Sequence, residues 1–218
     1  MNPNPTIVDD FQNRVGIWRQ FAADLTTVIQ AIIEFAKMID GFMRLGQEEQ
    51  IHLLKGKLDV VKKWIFCELL FTISISGGVF ELAIVELSSR YSPETQTLSM
   101  DNIVLPLHNL NITDQIECLH DLAVCQLTSS EVALLCAVLL LEPASTEQAT
   151  CERLRTVLAQ SLAARVGSDA QRVWDTLPRL KQTAHLHLIL LGQLRAQFPV
   201  ETEAGLPALY KELFSIDP

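Results

Sequence analysis

The sequence has little of what fibrous, disordered or secreted chains need. Glycine and proline occur only nine times each in 218 residues, and 20% of the residues are charged against 49% hydrophobic ones. This composition excludes collagen-like and disordered chains and favours a globular, mainly helical protein. A chain of this length can bury one large core. Its first ten residues, MNPNPTIVDD, lack the basic and apolar segments of a secretory signal.

Cysteine pairs at metal-ligand spacing are also missing. The five cysteines form no CxxC pair, and their number is odd: Cys67, Cys118, Cys125, Cys136 and Cys151. A zinc site and a disulfide framework are therefore not expected. We predict buried, reduced thiols in an intracellular protein, with no metal and no cofactor in this chain.

Basic runs and uninterrupted apolar runs are absent as well. The formal net charge of -9 should repel nucleic acid, so we predict no direct nucleic-acid contact by this chain. The longest apolar stretch, 64–80, contains Glu68 and is interrupted by Gly77 and Gly78. We therefore do not expect it to span a membrane.

Catalytic motifs are missing too. The sequence contains no G-x-S-x-G elbow, no H-E-x-x-H, no P-loop and no dinucleotide fingerprint. His185 and His187 are two residues apart, so they face different sides of a helix and make a poor metal pair. We predict that the protein is not an enzyme.

Most of what is present has the spacing of helices. Between Gly16 and Met38, apolar residues recur every three or four positions, and Gly41 follows as a C-terminal cap. Further helices are predicted over 113–126, from Val132 to Leu141 and over 169–198, the last with a kink at Pro178. The terminal stretches are predicted as a loop over 199–205 and a short amphipathic helix over 206–214, with Pro207 in its first turn.

Two capping signals and one non-helical region complete this prediction. Thr128 and Glu131 have the spacing of a capping box, and Ser145 with Gln148 has that of a second one. The stretch 91–110 contains turn residues and short apolar pieces, which indicate turns or a small hairpin. The predicted fold is all-α, with roughly nine to eleven helices.

Two long motifs resemble a known family. The first is Phe35-Ala36-Lys37-Met38-Ile39-Asp40-Gly41-Phe42, followed by Leu45 and by 49–55, EQIHLLK. The second is 207–215, PALYKELFS, and 80–85, FELAIV, adds to it. Together they resemble nuclear receptor ligand-binding domains, and within them the retinoid-related orphan receptors and the hormone-receptor-three group of moulting animals. The resemblance implies a three-layer antiparallel helical sandwich over 16–218, after an N-terminal tail or hinge remnant over 1–15.

The resemblance also implies a coregulator-binding switch. A partner helix has free N–H groups at one end and free carbonyls at the other, so charges of opposite sign can hold its two ends. The matching clamp residues here are Lys37, Lys55 and Glu212. The terminal activation helix carries Leu209, Tyr210, Leu213 and Phe214. A hydrogen bond between His187 and Tyr210 would latch this helix, although a packed polar residue is the alternative for His187.

A ligand pocket is implied beside this switch. Its predicted lining is Ile32, Phe35, Ala36, Ile39, Ile84 and Leu87. Where relatives often have arginines, this chain has Glu86 and Ser89, which suits a neutral, sterol-like ligand better than a carboxylate. The alternatives are a pocket that stays empty or one that is filled by side chains.

One segment departs from the family pattern. Removing 57–77 would join Gly56 directly to Gly78, so this stretch is an insert of about 21 residues. An unbroken helix of that length would end about 60° short of whole turns, so we expect it to loop out or form a hairpin. Our hypothesis is a translated intron. The alternatives are a genuine insertion or an oligomer contact through Trp64, Ile65 and Phe66.

These inferences lead to one functional reading with alternatives. We expect the ligand-binding domain of a nuclear transcription factor, without its zinc DNA-binding domain, that recruits helices with the Leu-x-x-Leu-Leu pattern as a monomer or weak dimer. An upstream exon missing from the sequence, or a natural truncation, would account for the absent domain. The alternatives are a non-catalytic helical interaction domain, or a truncated receptor whose insert prevents ligand binding.

Overall fold

The computed structural model describes residues 5–55, 58–59, 74–75, 78–99, 104–106, 113–165 and 169–214. Nine α-helices occur in these ranges: α1 (Pro5–Met38), α2 (Gln47–Lys55), α3 (Val79–Ser88), α4 (Thr113–Val124), α5 (Ser129–Leu141), α6 (Gln148–Ala163), α7 (Asp169–Gln197), α8 (Pro199–Gly205) and α9 (Ala208–Leu213). Short 3-10 turns precede α2 and α6, at Phe42–Arg44 and Ser145–Glu147.

Helix α3 is the centre of the fold. Nine of its ten residues are buried, because it packs against α1, α4, α5 and α7 at once. Around it, α5 packs against α6 and α4 against α7. A helix that is apolar on all sides belongs in the middle of a layered domain. The predicted all-α helical sandwich is therefore confirmed.

The apolar stripe predicted on α1 faces this core. Trp18, Phe21, Leu25, Ile29 and Ile32 are all buried at steps of three or four residues. The helix itself begins at Pro5, so it includes most of the stretch that the sequence assigned to a tail. Proline is tolerated in a first helical turn because the N–H group it lacks has no intrahelical partner there.

The capping box at Thr128 formed as predicted, whereas Gly41 does not cap α1 directly, because α1 ends at Met38 and Gly41 stands at the N-cap position of the 3-10 turn Phe42–Arg44. Gly41 follows α1 with a φ of 104°, a conformation that a side chain would strain. Thr128 caps α5, since its hydroxyl accepts from the Glu131 N–H and the Glu131 carboxylate accepts from the Thr128 N–H. The second predicted box is wrong, because α6 begins at Gln148 and Glu147, not Ser145, stands at its N-cap position.

The stretch between α3 and α4 contains a small antiparallel sheet. Its strands are β3 (Tyr91–Ser92), β4 (Thr97–Ser99) and β5 (Val104–Pro106), in the order β3-β4-β5. Leu98 pairs with Tyr91 on one side and Leu105 on the other. The small hairpin region predicted over 91–110 is thus confirmed, and it has one strand more than a simple hairpin.

Only the two ends of the insert lie within the described residues. They pair as β1 (Leu58–Asp59) and β2 (Ser74–Ile75), antiparallel, with Leu58 opposite Ile75. The two ends of the insert therefore lie side by side, as the prediction of a looped-out segment or a hairpin requires. The predicted oligomer contact, which consists of Trp64, Ile65 and Phe66, lies outside the described residues.

The end of the chain corrects one prediction. The stretch 199–205 is helix α8 and not a loop. Pro199 stands in its first turn, and the Thr202 hydroxyl donates to the Phe198 carbonyl at 2.6 Å. Pro178 lies inside α7 as expected, and Pro207 directly precedes α9. Among the described helices, none is both long and apolar enough to cross a membrane.

Candidate functional site

The terminal helix is held by a buried hydrogen bond between two polar side chains. The Tyr210 hydroxyl lies 2.8 Å from Nε2 of His187. Tyr210 is fully buried and His187 is 1% exposed. His187 reaches this position because it continues the buried stripe of α7 that also contains Leu180, Thr183 and Leu191. The sequence-predicted pair is therefore in contact, and we keep the name latch for this hydrogen bond.

Burial fixes the charge state of the latch. It lowers the pKa of the His187 imidazole to about 3 and raises the pKa of the Tyr210 hydroxyl. Both groups are consequently neutral between pH 5 and 8. A neutral imidazole has one accepting nitrogen, so the Tyr210 O–H donates to Nε2 when the ring proton is on Nδ1.

Six rings surround and include the latch, and we call them the ring cluster. They come from α1, α3, α7 and the end of the chain, and each is at most 8% exposed: Trp18, Phe21, Phe80, His187, Tyr210 and Phe214. The Phe80 ring lies 4.0 Å from the imidazole centroid at an angle of 18°, a stacked arrangement. The Phe214 ring packs edge-on against two rings: its centroid lies 5.2 Å from that of the imidazole and 4.8 Å from that of Tyr210. Such pairs add to the stability that ring burial gives.

Further contacts hold the chain on both sides of α9. Arg195 of α7 donates to the Phe214 carbonyl at 3.2 Å, at the C-terminal end of α9. Lys211 reaches back to Glu203 of α8 at 3.0 Å, and Arg19 of α1 donates to the Glu201 carbonyl at 3.0 Å. The helix α9 also packs directly against α1. Its position is therefore defined by α1, α7 and α8 together.

The three predicted clamp residues lie on three different helices. Lys37 stands in the last turn of α1 and Lys55 in the last turn of α2. Glu212 is exposed on α9, whose buried side carries Tyr210 and Leu213. The ammonium group of Lys37 is engaged with Glu34 at 2.6 Å, one turn back on the same helix. An exposed pair of this kind is weak and can exchange for another partner.

The end of α1 and the start of α2 are connected rigidly. Gln50 donates from its amide nitrogen to the Phe42 carbonyl at 3.2 Å and to the Leu45 carbonyl at 2.9 Å. These bonds satisfy carbonyls of the turn between the two helices. They restrict how the helix with Lys55 is oriented relative to the helix with Lys37.

Apolar side chains near these charges remain partly accessible. Ile51 of α2 is 41% exposed, while Ile33 of α1, Leu54 of α2 and Leu209 of α9 are half-buried against the core. Solvent-accessible aliphatic residues at helical spacing are what a helix-binding surface requires. They occur on the same three helices as the clamp residues.

The predicted ligand-lining residues are divided between two environments. Ile84, Leu87 and Ala36 are fully packed in the core. Phe35 and Ile39 line an open groove of about 480 Å³ between α1, α5 and α6. Ile32 and Phe35 line a second groove of about 220 Å³ between α1, α3 and α5.

The two positions where relatives often have arginines are placed near the surface. Glu86 lies at the second groove and pairs with Arg90 at 3.5 Å. Ser89 is exposed, and its hydroxyl donates to the Glu86 carbonyl at 2.7 Å. Neither side chain offers a positive charge to a bound carboxylate.

Sequence reasoning missed two residues of α3 that matter here. Phe80 belongs to the ring cluster, and Glu81 beside it is fully buried without a hydrogen bond to either carboxylate oxygen among the described residues. Burial raises the pKa of Glu81 to about 8, although Lys181 opposes this shift. The signal in the sequence was a glutamate inside the apolar run FELAIV. A polar residue flanked by apolar ones on both sides is a candidate for burial with them.

Comparison with known proteins defines the class. The family model of the ligand-binding domain of nuclear hormone receptors matches residues 24–181. The match includes α2 to α6 and parts of α1 and α7, which build the core described above. The chain therefore belongs to the nuclear hormone receptor ligand-binding domain family.

Individual relatives narrow this assignment. The chain is 37% identical over 227 residues to nuclear hormone receptor family member nhr-23 of Caenorhabditis elegans, a match that covers 94% of this chain and 35% of that protein. It is 32% identical to the probable nuclear hormone receptor HR3 of Manduca sexta, with 92% and 36% covered. It is 28% identical to nuclear receptor ROR-alpha B of Danio rerio, with 94% and 42% covered. The chain thus spans about two-fifths or less of the length of these relatives, and the predicted resemblance to the retinoid-related and hormone-receptor-three group is confirmed.

Proposed function

We propose that this domain recruits transcriptional coregulators through a helix-binding surface formed by α1, α2 and α9. The observation that supports the proposal most strongly is the buried His187–Tyr210 hydrogen bond, because it holds α9 in a defined place. With α9 in that place, Glu212 faces solvent on a helix that packs against α1. The partner would be a short amphipathic helix with the Leu-x-x-Leu-Leu pattern.

Charge complementarity explains why such a partner would bind in one direction. The N-terminal end of a helix carries free N–H groups and a partial positive charge, so the Glu212 carboxylate can accept hydrogen bonds from that end. Its C-terminal end carries free carbonyls, to which the ammonium groups of Lys37 and Lys55 can donate. The leucines between these ends would contact Ile51 and Leu54.

This reading also sets expectations for the longer protein. As a nuclear receptor it would act in the nucleus, bind DNA through a separate zinc domain, and work as a monomer or weak dimer. A small ligand of this domain would be lipophilic, and a neutral one would suit the second groove best, because the arginine that lines it, Arg90, pairs with Glu86. A rival proposal, a helical scaffold without a switch, predicts no selective binding of a coregulator helix.

A peptide titration separates these two proposals. We expect a fluorescent peptide containing Leu-x-x-Leu-Leu to bind the wild-type chain and to bind Glu212→Ala and Lys37→Ala about tenfold more weakly, in line with the loss of a charge-assisted hydrogen bond. Glu152→Ala, which removes an exposed glutamate from α6, is the matched control and should bind as the wild type does.

Glu34→Ala tests the lysine more sharply. It releases Lys37 from its partner on α1, so it should leave peptide affinity unchanged or raise it. If the peptide binds neither the wild type nor any variant, or binds all of them equally, the coregulator proposal is wrong.

A further inference from the structure

The C-terminal half of helix α8 is bound by cations that come from two other helices. Its sequence, PVETEAG, contains no lysine or arginine. A helix of seven residues is marginal by itself in water, and its C-terminal end carries free carbonyls and a partial negative charge. Arg19 of α1 donates to the Glu201 carbonyl at 3.0 Å, and Lys211 of α9 donates to the Glu203 carbonyl at 2.9 Å. Helix α8 is therefore tied to α1 on one side and to α9 on the other.

A glycine at the end of α8 lets the Arg19 side chain come close. A Cβ atom added at Gly205 would collide with Nε of Arg19 and would lie 2.7 Å from its Cζ. Glu201 and Gly205 are one helical turn apart, so the guanidinium reaches the Glu201 carbonyl across Gly205. Because the guanidinium is the far end of a flexible side chain, a side chain at position 205 would push it aside. Its hydrogen bond to α8 would then be lost.

The other side of α8 holds it on the core. Thr202 is 4% exposed, and Leu206, directly after the helix, is 6% exposed. The helix packs against α7, and the Thr202 hydroxyl donates to the Phe198 carbonyl. Lys211 adds an ion pair with the Glu203 carboxylate at 3.0 Å to its bond with the Glu203 carbonyl. Helix α8 therefore has a defined place on α7, where one cation from α1 and one from α9 are bound to it.

We propose that Arg19 is a positioning residue that sets, through α8, where α9 lies relative to α1. The coregulator-binding surface depends on this placement, because a partner helix of given length must reach both Glu212 on α9 and Lys37 on α1. Arg19 lies about five turns from Lys37 along α1, roughly 27 Å, so it is remote from the basic end of that surface. The inference rests on the proposed coregulator function and deepens it by naming the contact that positions its acidic end.

The first arm of the test is a titration of the full 218-residue chain with the fluorescent Leu-x-x-Leu-Leu peptide. Arg19→Ala should bind the peptide about fivefold more weakly, because one exposed hydrogen bond from a charged donor is lost. Arg153→Ala, which removes an exposed arginine from α6, is the matched control and should bind as the wild type does. Equal binding by the wild type and Arg19→Ala would overturn the inference alone. No binding by the wild type would refute the coregulator function itself.

The second arm displaces the guanidinium without changing Arg19. Gly205→Ala should weaken the peptide about as much as Arg19→Ala does. Added to Arg19→Ala, it should cause no further loss, because the colliding side chain is gone and alanine favours a helix more than glycine does. Gly16→Ala is the matched control, since Gly16 of α1 has open space around it, and it should leave affinity unchanged. Losses that simply add would show that Arg19 and Gly205 act separately and would overturn the inference.

Hydrogen exchange provides a readout that general destabilisation would not reproduce. In Arg19→Ala, the backbone amides of 199–214 should exchange faster than in the wild type, while those of α5 should keep their protection. Gly205→Ala should give the same pattern. Faster exchange throughout the chain, or unchanged exchange over 199–214, would show that Arg19 does not position α8 and α9.

Discussion

The buried carboxyl of Glu81 should make this domain less stable as the pH rises. Its two oxygens are buried without a hydrogen-bond partner among the described residues, and its pKa of about 8 lies well above the usual 4.5. In the unfolded chain the group loses its proton near pH 4.5, whereas in the folded domain it keeps the proton up to about pH 8. The free energy of unfolding should therefore fall between these two values and level off above the second.

The size of this effect follows from the same two values. Each unit of pKa difference corresponds to about 1.4 kcal/mol, so the fall reaches roughly 5 kcal/mol if no side chain rearranges to compensate. The pKa of about 8 already includes the attraction between the nearby ammonium group of Lys181 and the ionised carboxylate. Even half of it would be a large part of the stability of an ordinary domain.

Chemical denaturation followed by circular dichroism from pH 5 to pH 9 measures the effect. Glu81→Gln keeps the size and shape of the side chain and removes its titration, so its stability should stay level where that of the wild type falls. Glu86→Gln is the matched control on the same helix, because Glu86 is partly exposed and pairs with Arg90. Parallel curves for the wild type and Glu81→Gln would refute the reasoning.

Two further predictions concern the histidine of the latch and the turn after α1. The pKa of His187 is about 3 in the folded domain and 6.5 in the unfolded chain, so the free energy of unfolding should fall as the pH drops from 6.5 toward 3. His187→Gln, which can still accept a hydrogen bond, should remove this loss of stability in the same denaturation series. Gly41→Ala should cost about 1–3 kcal/mol in urea denaturation, because φ is 104° and the added Cβ would lie 2.5 Å from Oε2 of Glu147, whereas Gly46→Ala, with open space around it, should change stability by less than about 0.5 kcal/mol.

The latch shows how far the sequence could specify the candidate site. The pairing of His187 with Tyr210 could be predicted because the terminal motif identifies Tyr210. Aligning the chain with the family pattern from Tyr210 backwards through α8, without a gap, then identifies His187. This alignment succeeds because α7, α8 and α9 follow one another with single-residue or two-residue connections. The sequence could not indicate Phe80 as the stacking partner, since that contact depends on how α3 packs against α7.

The errors have local causes. The stretch 199–205 begins with proline and ends with glycine, two residues that often bound a loop, but proline also suits the first turn of a helix and glycine suits its end. Glu81 was missed because helical spacing alone does not show whether a polar residue within an apolar run faces solvent. Its burial follows from the central place of α3, which has neighbours on all sides.

The central claim is that a buried hydrogen bond keeps α9 docked so that a coregulator helix can bind. Peptide affinity of Tyr210→Phe tests it most directly, because this change removes one hydroxyl and leaves the Nε2 acceptor of His187 buried without its donor. Tyr91→Phe is the matched control, since Tyr91 is also buried and is the only other tyrosine in the sequence. We predict that Tyr210→Phe binds the Leu-x-x-Leu-Leu peptide about tenfold more weakly than the wild type and that Tyr91→Phe binds equally well. Unchanged affinity of Tyr210→Phe would contradict the account.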